Sequence, residues 1–242
     1  MDIALIGYGK MGKEIEQIAL SRGHKIILKV DAKNAESYSI DDLKQADVAI
    51  EFSTPESVAN NIYHCFKSDV PVIIGTTGWL SKLDEVKKSC IKQNQAMFYA
   101  SNYSIGVNLF FKLNTYLANL MNAYPAYDPQ IEEIHHVHKL DSPSGTAISL
   151  ANQLIEENDF KKKWVNEISE NNNELGIISK RIDEVPGTHI VTYSSEVDEI
   201  SIKHIAHNRK GFALGAVIAA EWIQNKKGVF GMDDLMHFNK KC

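Results

Sequence analysis

The chain has 242 residues, of which 44% are hydrophobic and 24% are charged. This is the composition of an ordinary globular protein, and it excludes a disordered or fibrous chain. The 26 basic and 31 acidic residues give a net charge of −5, which argues against a general nucleic-acid binder.

Apolar runs and cysteines bear on the cellular compartment. No apolar run approaches the roughly 18 residues that cross a bilayer, and Ile3–Ile6 is a short strand rather than a signal peptide. Cys65, Cys90 and Cys242 are widely spaced and form no C-x-x-C pair. We therefore expect a cytoplasmic protein that binds neither membrane nor nucleic acid.

The first hundred residues alternate between short apolar runs and segments with helical spacing. The apolar runs are Ile3–Ile6, Ile26–Val30, Val48–Phe52, Val72–Ile74 and Ala96–Tyr99. The helical segments are Met11–Ser21, Pro55–Lys67 and Leu80–Gln93. Strands that alternate with helices indicate an α/β fold, and continuous apolar runs are typical of buried parallel strands. The pattern predicts a Rossmann-type, doubly wound parallel sheet.

The middle of the chain has a different pattern. Helical spacing covers Val107–Met121, Ser144–Glu157 and, near the end, Phe212–Gln224. Strand-like alternation covers Gln130–His138 and His189–His204, and residues 158–180 are polar and loop-rich. This order predicts a smaller α+β domain on a mixed sheet.

A glycine-rich loop follows the first strand and opens a helix. Its sequence is Gly7-Tyr8-Gly9-Lys10-Met11-Gly12, which is the G-x-G-x-x-G pattern of dinucleotide-binding folds. The glycines permit a tight turn, a close backbone approach to a pyrophosphate, and close packing of helix on strand. Asp31 ends the second strand, at the position of the acid that binds the ribose. The loop predicts a nicotinamide dinucleotide site.

Asp31 also bears on the choice of cofactor. Its carboxylate accepts hydrogen bonds from both ribose hydroxyls of NADH and repels the extra phosphate of NADPH. Lys33 and Lys10 would offset that repulsion, although each also fits a solvated surface charge. We expect NADH to be favoured or both cofactors to be used.

Two further loops should lie at the same edge of the sheet. Gly75-Thr76-Thr77-Gly78 follows the fourth strand and Ala100-Ser101-Asn102-Tyr103 follows the fifth. Ligands of doubly wound sheets lie beyond the carboxyl ends of the strands. These loops are candidates for the nicotinamide end of the site.

Ionisable residues are densest around residue 135. His135, His136, His138 and Lys139 fall within five residues. Three interpretations compete. The first is a zinc site on a His-x-His pair, for which no third protein ligand is evident. The second is structural histidines, favoured for His138, and the third is an active site. In the last, His135 supplies a proton and Lys139 supports charge, which suits reduction of a C=C or C=N bond.

Ser144-Gly145-Thr146 begins the helix that follows this cluster. Free N–H groups at Gly145 and Thr146 would bind a carboxylate there. The residues alone therefore predict reduction of a small anionic substrate by a nicotinamide cofactor. The alternative interpretation of Ser144-Gly145-Thr146 is a simple helix cap.

These motifs resemble the dihydrodipicolinate (4-hydroxy-tetrahydrodipicolinate) reductase family of lysine and diaminopimelate biosynthesis. The most specific part is Glu133 to Thr146, with its H-H-x-x-K-x-D-x-P-S-G-T pattern, and Gly187-Thr188-His189 adds to it. The resemblance implies a cofactor domain of residues 1–105 and 208–242 and a substrate domain of residues 106–207. It also implies a homotetramer joined through the substrate domains and a small dicarboxylate substrate.

The resemblance also assigns roles to residues. His135 matches the proton donor, Lys139 the second catalytic residue, His136 a substrate contact, and Gly145 with Thr146 the carboxylate-binding pair. Gly7 to Gly12, Asp31, Lys33, Gly75 to Thr77, Ala100 to Tyr103 and Arg209 are the candidate cofactor contacts, and no metal is implied.

The sequence departs from the family pattern at two places. Asp31 replaces the more common Glu with no arginine directly after it, which is why NADH is favoured. Asp183 stands where a glycine is expected.

Two rival functions remain open at this point: another small-carboxylate or semialdehyde dehydrogenase, and a non-catalytic NAD(H)-binding redox sensor. A semialdehyde dehydrogenase needs a nucleophilic cysteine, and none of the three cysteines is well placed for that role.

Overall fold

The computed structural model describes residues 1–34, 38–208 and 210–238. Arg209 and Cys242 lie outside these ranges. The chain divides into two compact units, Met1–Ser104 with Lys210–Cys242 and Ile105–Arg209. Which unit binds the cofactor and which the substrate remains a prediction.

The first unit is built on a six-stranded parallel sheet. Its strands are β1 (Asp2–Ile6), β2 (Lys25–Val30), β3 (Val48–Glu51), β4 (Val72–Ile74), β5 (Ala96–Tyr99) and β11 (Gly228–Phe230), in the order β11-β5-β4-β3-β1-β2. The five predicted strands and the doubly wound class are confirmed. The short β11, which pairs with β5, was not predicted.

Helices bury both faces of this sheet. They are α1 (Lys10–Ser21), α2 (Ile40–Leu43), α3 (Val58–Lys67), α4 (Leu83–Lys92), α7 (Lys210–Trp222) and α8 (Met232–Leu235). Ala4 and Ile6 of β1 belong to one core cluster with Ile62 of α3. Ile3 and Leu5 point to the other face, because side chains alternate along a strand, and they are equally buried. The sheet is therefore covered on both sides, as its apolar strands require.

The second unit combines a five-stranded mixed sheet with two helices. Its elements are α5 (Ile105–Met121), β6 (Asp128–His135), α6 (Gly145–Glu157), β7 (Lys163–Val165), β8 (Glu174–Arg181), β9 (Gly187–Ser194) and β10 (Glu199–Ala206). The strand order is β10-β9-β6-β8-β7, antiparallel between β10, β9 and β6 and parallel between β6, β8 and β7. The helices pack their apolar sides on one face of the sheet, around Ile131 and Val191. No helix in the described ranges is long and apolar enough to cross a bilayer.

The structure corrects three predicted segments of this unit. The polar stretch 158–180 contains β7 and most of β8, whose pairing is reinforced by an ion pair between Lys163 and Glu174. His189–His204 is two antiparallel strands, because the chain turns back at residues 195–198. The strand predicted to reach His138 ends at His135.

Candidate active site

A pocket of about 850 Å³ opens in the first unit beside the loops that follow β1, β2 and β3. It brings together Gly7, Tyr8, Gly9, Asp31 and Lys33, as the sequence predicts for a cofactor site. Further lining residues, which were not predicted, come from the segment before α2, the loop after β3 and helix α3. The polar and aromatic ones are Tyr38, Phe52, Ser53, Thr54, Glu56, Ser57, Asn60, Asn61 and His64.

Gly7 and Gly12 pack against the protein as predicted, and the binding of a pyrophosphate at Gly9 remains a prediction. Gly7 has φ +96°, and a Cβ there would lie 2.1 Å from the Phe52 carbonyl oxygen. A Cβ on Gly12 would lie 2.5 Å from the Gly7 oxygen, so helix α1 approaches the loop closely. Gly9, at the N-terminus of α1, has no protein atom within 4 Å of such a Cβ. Open space and a helix N-terminus at Gly9 suit a pyrophosphate.

Asp31 is held by its own turn. Its Oδ1 accepts a hydrogen bond of 2.8 Å from the Lys33 backbone N–H, and its own N–H donates to Asn34 Oδ1 at 2.7 Å. The carboxylate is therefore fixed in direction at the edge of the pocket.

The loops after β3, β4 and β5 are packed against one another. A Cβ on Gly75 would lie 2.1 Å from Phe52 Cζ, so the Phe52 ring lies directly on that glycine. The Tyr103 ring lies 5.8 Å from the Phe52 ring, and its hydroxyl donates to the Ile74 carbonyl at 2.7 Å. Tyr103 is buried, so its side chain supports the loops from inside.

A buried carboxylate joins two of these loops. Glu51, at the end of β3, is fully buried and accepts hydrogen bonds from Ser53 Oγ, Thr76 Oγ1 at 2.7 Å and Asn61 Nδ2 at 3.1 Å. Burial raises the pKa of Glu51, and the hydrogen bonds act against that rise. The Thr76 side chain is therefore occupied by a hydrogen bond within the protein, whereas its neighbour Thr77 is exposed.

The other predicted cofactor residues do not line the pocket. Lys10 and Ser101 are exposed, Met11 and Asn102 are half-buried, and Ala100 is buried. Asn102 Oδ1 accepts from the Ser104 N–H at 2.9 Å. These residues lie in the predicted loops, and their contact with a cofactor remains a prediction, as does that of Arg209.

The second unit holds the chemical cluster around a buried carboxylate, Glu133. Glu133 and His135 lie on one face of the central strand β6, and His189 lies directly opposite Glu133 on β9. Glu133 Oε2 lies 3.4 Å from His135 Nδ1 and 3.7 Å from His189 Nε2. Arg181 of β8 approaches Glu133 Oε1 at 3.4 Å.

Helix α6 also points at this carboxylate. The Ser144 N–H donates to both Glu133 oxygens at 3.1 Å, and the Ser144 hydroxyl caps the helix by accepting from the Ala147 N–H. The same hydroxyl lies 3.1 Å from His189 Nε2. Glu133 thus connects the histidines to the start of the helix.

Burial, nearby charges and hydrogen bonds all shift the pKa values of Glu133 and His135. Burial alone would raise the pKa of Glu133, but hydrogen bonds from His189 and Ser144 outweigh it and hold that pKa below the ordinary value. Burial lowers the pKa of His135 to about 4, against the attraction of Glu133 and with repulsion from His189, Lys139 and Arg181. At neutral pH the free protein therefore holds an ionised Glu133 beside a neutral His135.

His136, His138 and Lys139 lie in the turn that follows β6. Lys139 Nζ forms an ion pair of 2.8 Å with Asp141, and its N–H donates to the His136 carbonyl. The His136 ring lies 6.2 Å from that of His138. His138 is 74% exposed and faces Glu184 at 3.3 Å, and its interpretation as a structural histidine remains a prediction.

The first turn of α6 is the place where the sequence predicts a carboxylate site. Gly145 is the first helical residue, it is exposed, and a Cβ there would meet no protein atom within 4 Å. The N–H groups of Gly145 and Thr146 have no intrahelical acceptor, because the first turn of a helix lacks one. This open helix N-terminus suits an anionic group.

The structure brings together three possible metal ligands, of which only His135 belongs to the histidine cluster seen in the sequence. Ligand atoms of Glu133, His135 and His189 lie within 4.8 Å of one another. However, Arg181 and the Ser144 N–H already contact the Glu133 carboxylate. A guanidinium beside the carboxylate opposes a second cation, so the arrangement suits proton chemistry better.

Neither described cysteine suits a nucleophile. Cys65 and Cys90 are fully buried in α3 and α4. Burial raises the pKa of both thiols, that of Cys90 to about 11, so neither is a thiolate at neutral pH.

Comparison with known proteins agrees with this geometry. The family model "Dihydrodipicolinate reductase, N-terminus" matches residues 1–103, and "Dihydrodipicolinate reductase, C-terminus" matches residues 106–236. The chain belongs to the dihydrodipicolinate reductase family. It is therefore an NAD(P)H-dependent oxidoreductase, and the predicted resemblance is confirmed.

Individual relatives span the whole chain. A 4-hydroxy-tetrahydrodipicolinate reductase of Christiangramia forsetii is 50% identical over 237 residues, which cover 98% of each chain. One of Thermosipho africanus is 36% identical and covers 95% of this chain and 94% of its own. The fold resembles a dipicolinate-bound dihydrodipicolinate reductase of Paenisporosarcina sp. TG-14, with a TM-score of 0.77, 24% identity and coverage of 97% and 98%.

The sequence identified the exposed groups of the site better than it identified the buried residues that support them. Glu133 stands two residues before His135, a spacing that places both on one face of a strand, so that signal was available. His189 and Arg181 lie far away in sequence, and only the strand register brings them to Glu133.

Proposed function

We propose that the chain catalyses the NAD(P)H-dependent reduction of 4-hydroxy-tetrahydrodipicolinate to tetrahydrodipicolinate in lysine and diaminopimelate biosynthesis. The observation that carries the proposal is His135, buried at the end of β6 beside an ionised Glu133. The first turn of α6 contacts the same carboxylate and offers N–H groups to an anion. The identity of the substrate is inferred from the names of the relatives, and the chemistry of these residues fits its reduction.

Each residue has a separate task in this proposal. The backbone of Gly145 and Thr146 binds one substrate carboxylate, and Lys139 and His136 contact the substrate beside it. The bound nicotinamide supplies a hydride from its C4. His135 gives a proton from its imidazolium to the reduced substrate and takes one back from solvent. The negative charge of a bound dicarboxylate favours the protonated form of His135 that this transfer needs.

The cofactor preference rests on the pocket after β1, β2 and β3. Asp31 offers a fixed carboxylate to the ribose hydroxyls, and Lys33 is an exposed cation next to it. We propose that NADH is favoured or that both cofactors are used, because the carboxylate repels the extra phosphate of NADPH and the lysine offsets only part of that repulsion.

We also propose a homotetramer joined through the second unit. The family resemblance is its basis, and exposed Ile200 and Ile205 on β10 supply apolar surface on that unit. Light scattering should give about four times the 27.1 kDa of one chain. A monomer with full activity would contradict the assembly and leave the reaction untouched.

Substitution of the two proposed catalytic residues tests the reaction. We expect His135→Ala to lower turnover by about 100-fold or more, the range of general acid catalysis, with binding of NADH unchanged. Lys139→Ala should also lower turnover and raise the KM for the substrate. Unchanged turnover in His135→Ala would remove this residue as the acid.

A further inference from the structure

Glu133 is the most buried ionised group of the second unit, and the proposed function gives it no direct task. Its side chain has no exposed surface, yet four different parts of the chain approach its carboxylate. They are His135 on its own strand, His189 on β9, Arg181 on β8 and the Ser144 N–H at the start of α6. Burying a carboxylate is costly unless such partners compensate for the lost hydration.

The two ring nitrogens of His135 have different surroundings. Nδ1 is buried, makes no hydrogen bond to another described residue, and lies 3.4 Å from Glu133 Oε2. Nε2 lies on the side of Gly187, where a Cβ would approach it to 3.1 Å. One nitrogen therefore faces a carboxylate, and the other faces space that a glycine leaves open.

We propose that Glu133 is a positioning residue for the proton transfer: its carboxylate holds the His135 ring through Nδ1–H and leaves Nε2 to deliver the proton. This inference rests on the proposed role of His135. The 3.4 Å contact does not have hydrogen-bond geometry in the free protein. Catalytic contacts are often long or poorly aligned in a free enzyme and tighten when the substrate is bound. The transfer moves one proton from Nε2 to the substrate, and Nδ1–H stays on the neutral ring.

The same carboxylate links His135 to the rest of the site. Arg181, which contacts Glu133, donates from Nη2 to the Asp141 carbonyl at 2.6 Å, within the turn that carries Lys139. The Ser144 N–H attaches the start of α6 to Glu133. The loss of this charge should therefore lower turnover and leave the binding of NADH unchanged.

Kinetics of Glu133→Gln test the proposal, with Glu132→Gln as the matched control. Glu132 lies next in sequence on the opposite face of β6 and pairs with Lys180. We expect Glu133→Gln to lower kcat by about tenfold or more with binding of NADH unchanged. The alkaline limb of the pH profile of kcat, where the imidazolium loses its proton, should shift to lower pH, because the imidazolium loses its counter-charge while His189, Lys139 and Arg181 still repel it. Glu132→Gln should match the wild type.

A double variant separates this inference from the proposed function. If Glu133 acts through His135, then Glu133→Gln combined with His135→Ala should turn over no more slowly than His135→Ala alone. Additive losses would overturn the positioning role and leave His135 as the acid. Unchanged turnover in His135→Ala would overturn the proposed function itself.

A spectroscopic measurement covers the case in which Glu133→Gln fails to fold. Nitrogen-15 NMR of histidine-labelled wild-type protein, assigned with His135→Gln, reports which ring nitrogen carries the proton. We expect the Nδ1–H form at neutral pH, and an Nε2–H form would overturn the proposal. Stoichiometric tightly bound metal in the purified active enzyme would overturn it as well, because the same atoms would then be ligands.

Discussion

Gly7 and Gly9 stand two residues apart in the loop after β1, and a side chain would meet different surroundings at each. At Gly7 a methyl group would lie 2.1 Å from the Phe52 carbonyl oxygen, in a backbone with φ +96°. At Gly9 it would meet no protein atom within 4 Å. Only the first glycine is required by the fold, and we expect the second to be required for cofactor binding.

The pair predicts opposite outcomes for two alanine variants. Gly9→Ala should keep the wild-type thermal stability and weaken cofactor binding by about tenfold or more, because its methyl occupies the space of the pyrophosphate. Gly7→Ala should lose about 3 kcal/mol or more of unfolding free energy. Thermal melting and cofactor titration check both, and Gly9→Ala with unchanged cofactor affinity would contradict the pyrophosphate site.

Asp31 gives a prediction about the ratio of cofactors. Asp31→Asn removes the charge that repels the extra phosphate of NADPH and keeps an oxygen for the Lys33 N–H. The ratio of kcat/KM for NADPH over NADH should rise by about tenfold, which corresponds to about 1.4 kcal/mol. Asp41→Asn, at the exposed helix α2, is the control and should leave the ratio unchanged. A ratio that also stays unchanged in Asp31→Asn would remove this residue from cofactor selection.

The helices and strands that the sequence predicted are those whose positions are determined by hydrophobic periodicity and burial. The parallel strands of the first unit are continuous apolar runs because both faces of the sheet are covered, and they were found in sequence. β7 has three residues in a polar stretch, and its position depends on pairing with β8, which no local pattern reveals. The chemical residues of the site were identified by their motif, but the cluster around Glu133 requires the register of β6, β8 and β9.

Helix α7 provides an element-scale test, because two of its glycines lie one turn apart. A methyl group on Gly215 would lie 1.8 Å from the Tyr103 carbonyl oxygen, whereas on Gly211 it would meet the Ser104 side chain at 3.5 Å, an ordinary van der Waals distance. Gly215→Ala should lower the unfolding free energy by about 3 kcal/mol or more. Gly211→Ala should stay within about 1 kcal/mol of the wild type, on the stabilising side. Urea unfolding measures both, and equal stability of the two variants would contradict this packing.

At the scale of the whole molecule, the burial of His135 makes stability depend on pH. Below pH 6.5 an unfolded histidine takes up a proton that the folded His135, with a pKa of about 4, does not. The unfolded state is therefore favoured as the pH falls from 6.5 to 4, by up to about 3 kcal/mol from this group. The stabilisation from Glu133 is lost only at lower pH, because its folded pKa is below its ordinary value.

Urea unfolding at several pH values tests this dependence. Between pH 6.5 and 4, His135→Gln should lose less stability than the wild type. His138→Gln is the control, because His138 is 74% exposed, and it should follow the wild type. Identical slopes for wild type and His135→Gln would mean that His135 titrates normally in the folded protein.

The central claim is that the chain reduces 4-hydroxy-tetrahydrodipicolinate with a nicotinamide cofactor. The most direct measurement is the loss of nicotinamide absorbance, with the substrate formed in place from pyruvate and aspartate semialdehyde by the preceding synthase. NADH and NADPH are run side by side. We expect oxidation that requires the substrate, at least as fast with NADH as with NADPH. Folded protein that binds NADH but oxidises neither cofactor in the presence of substrate would contradict it.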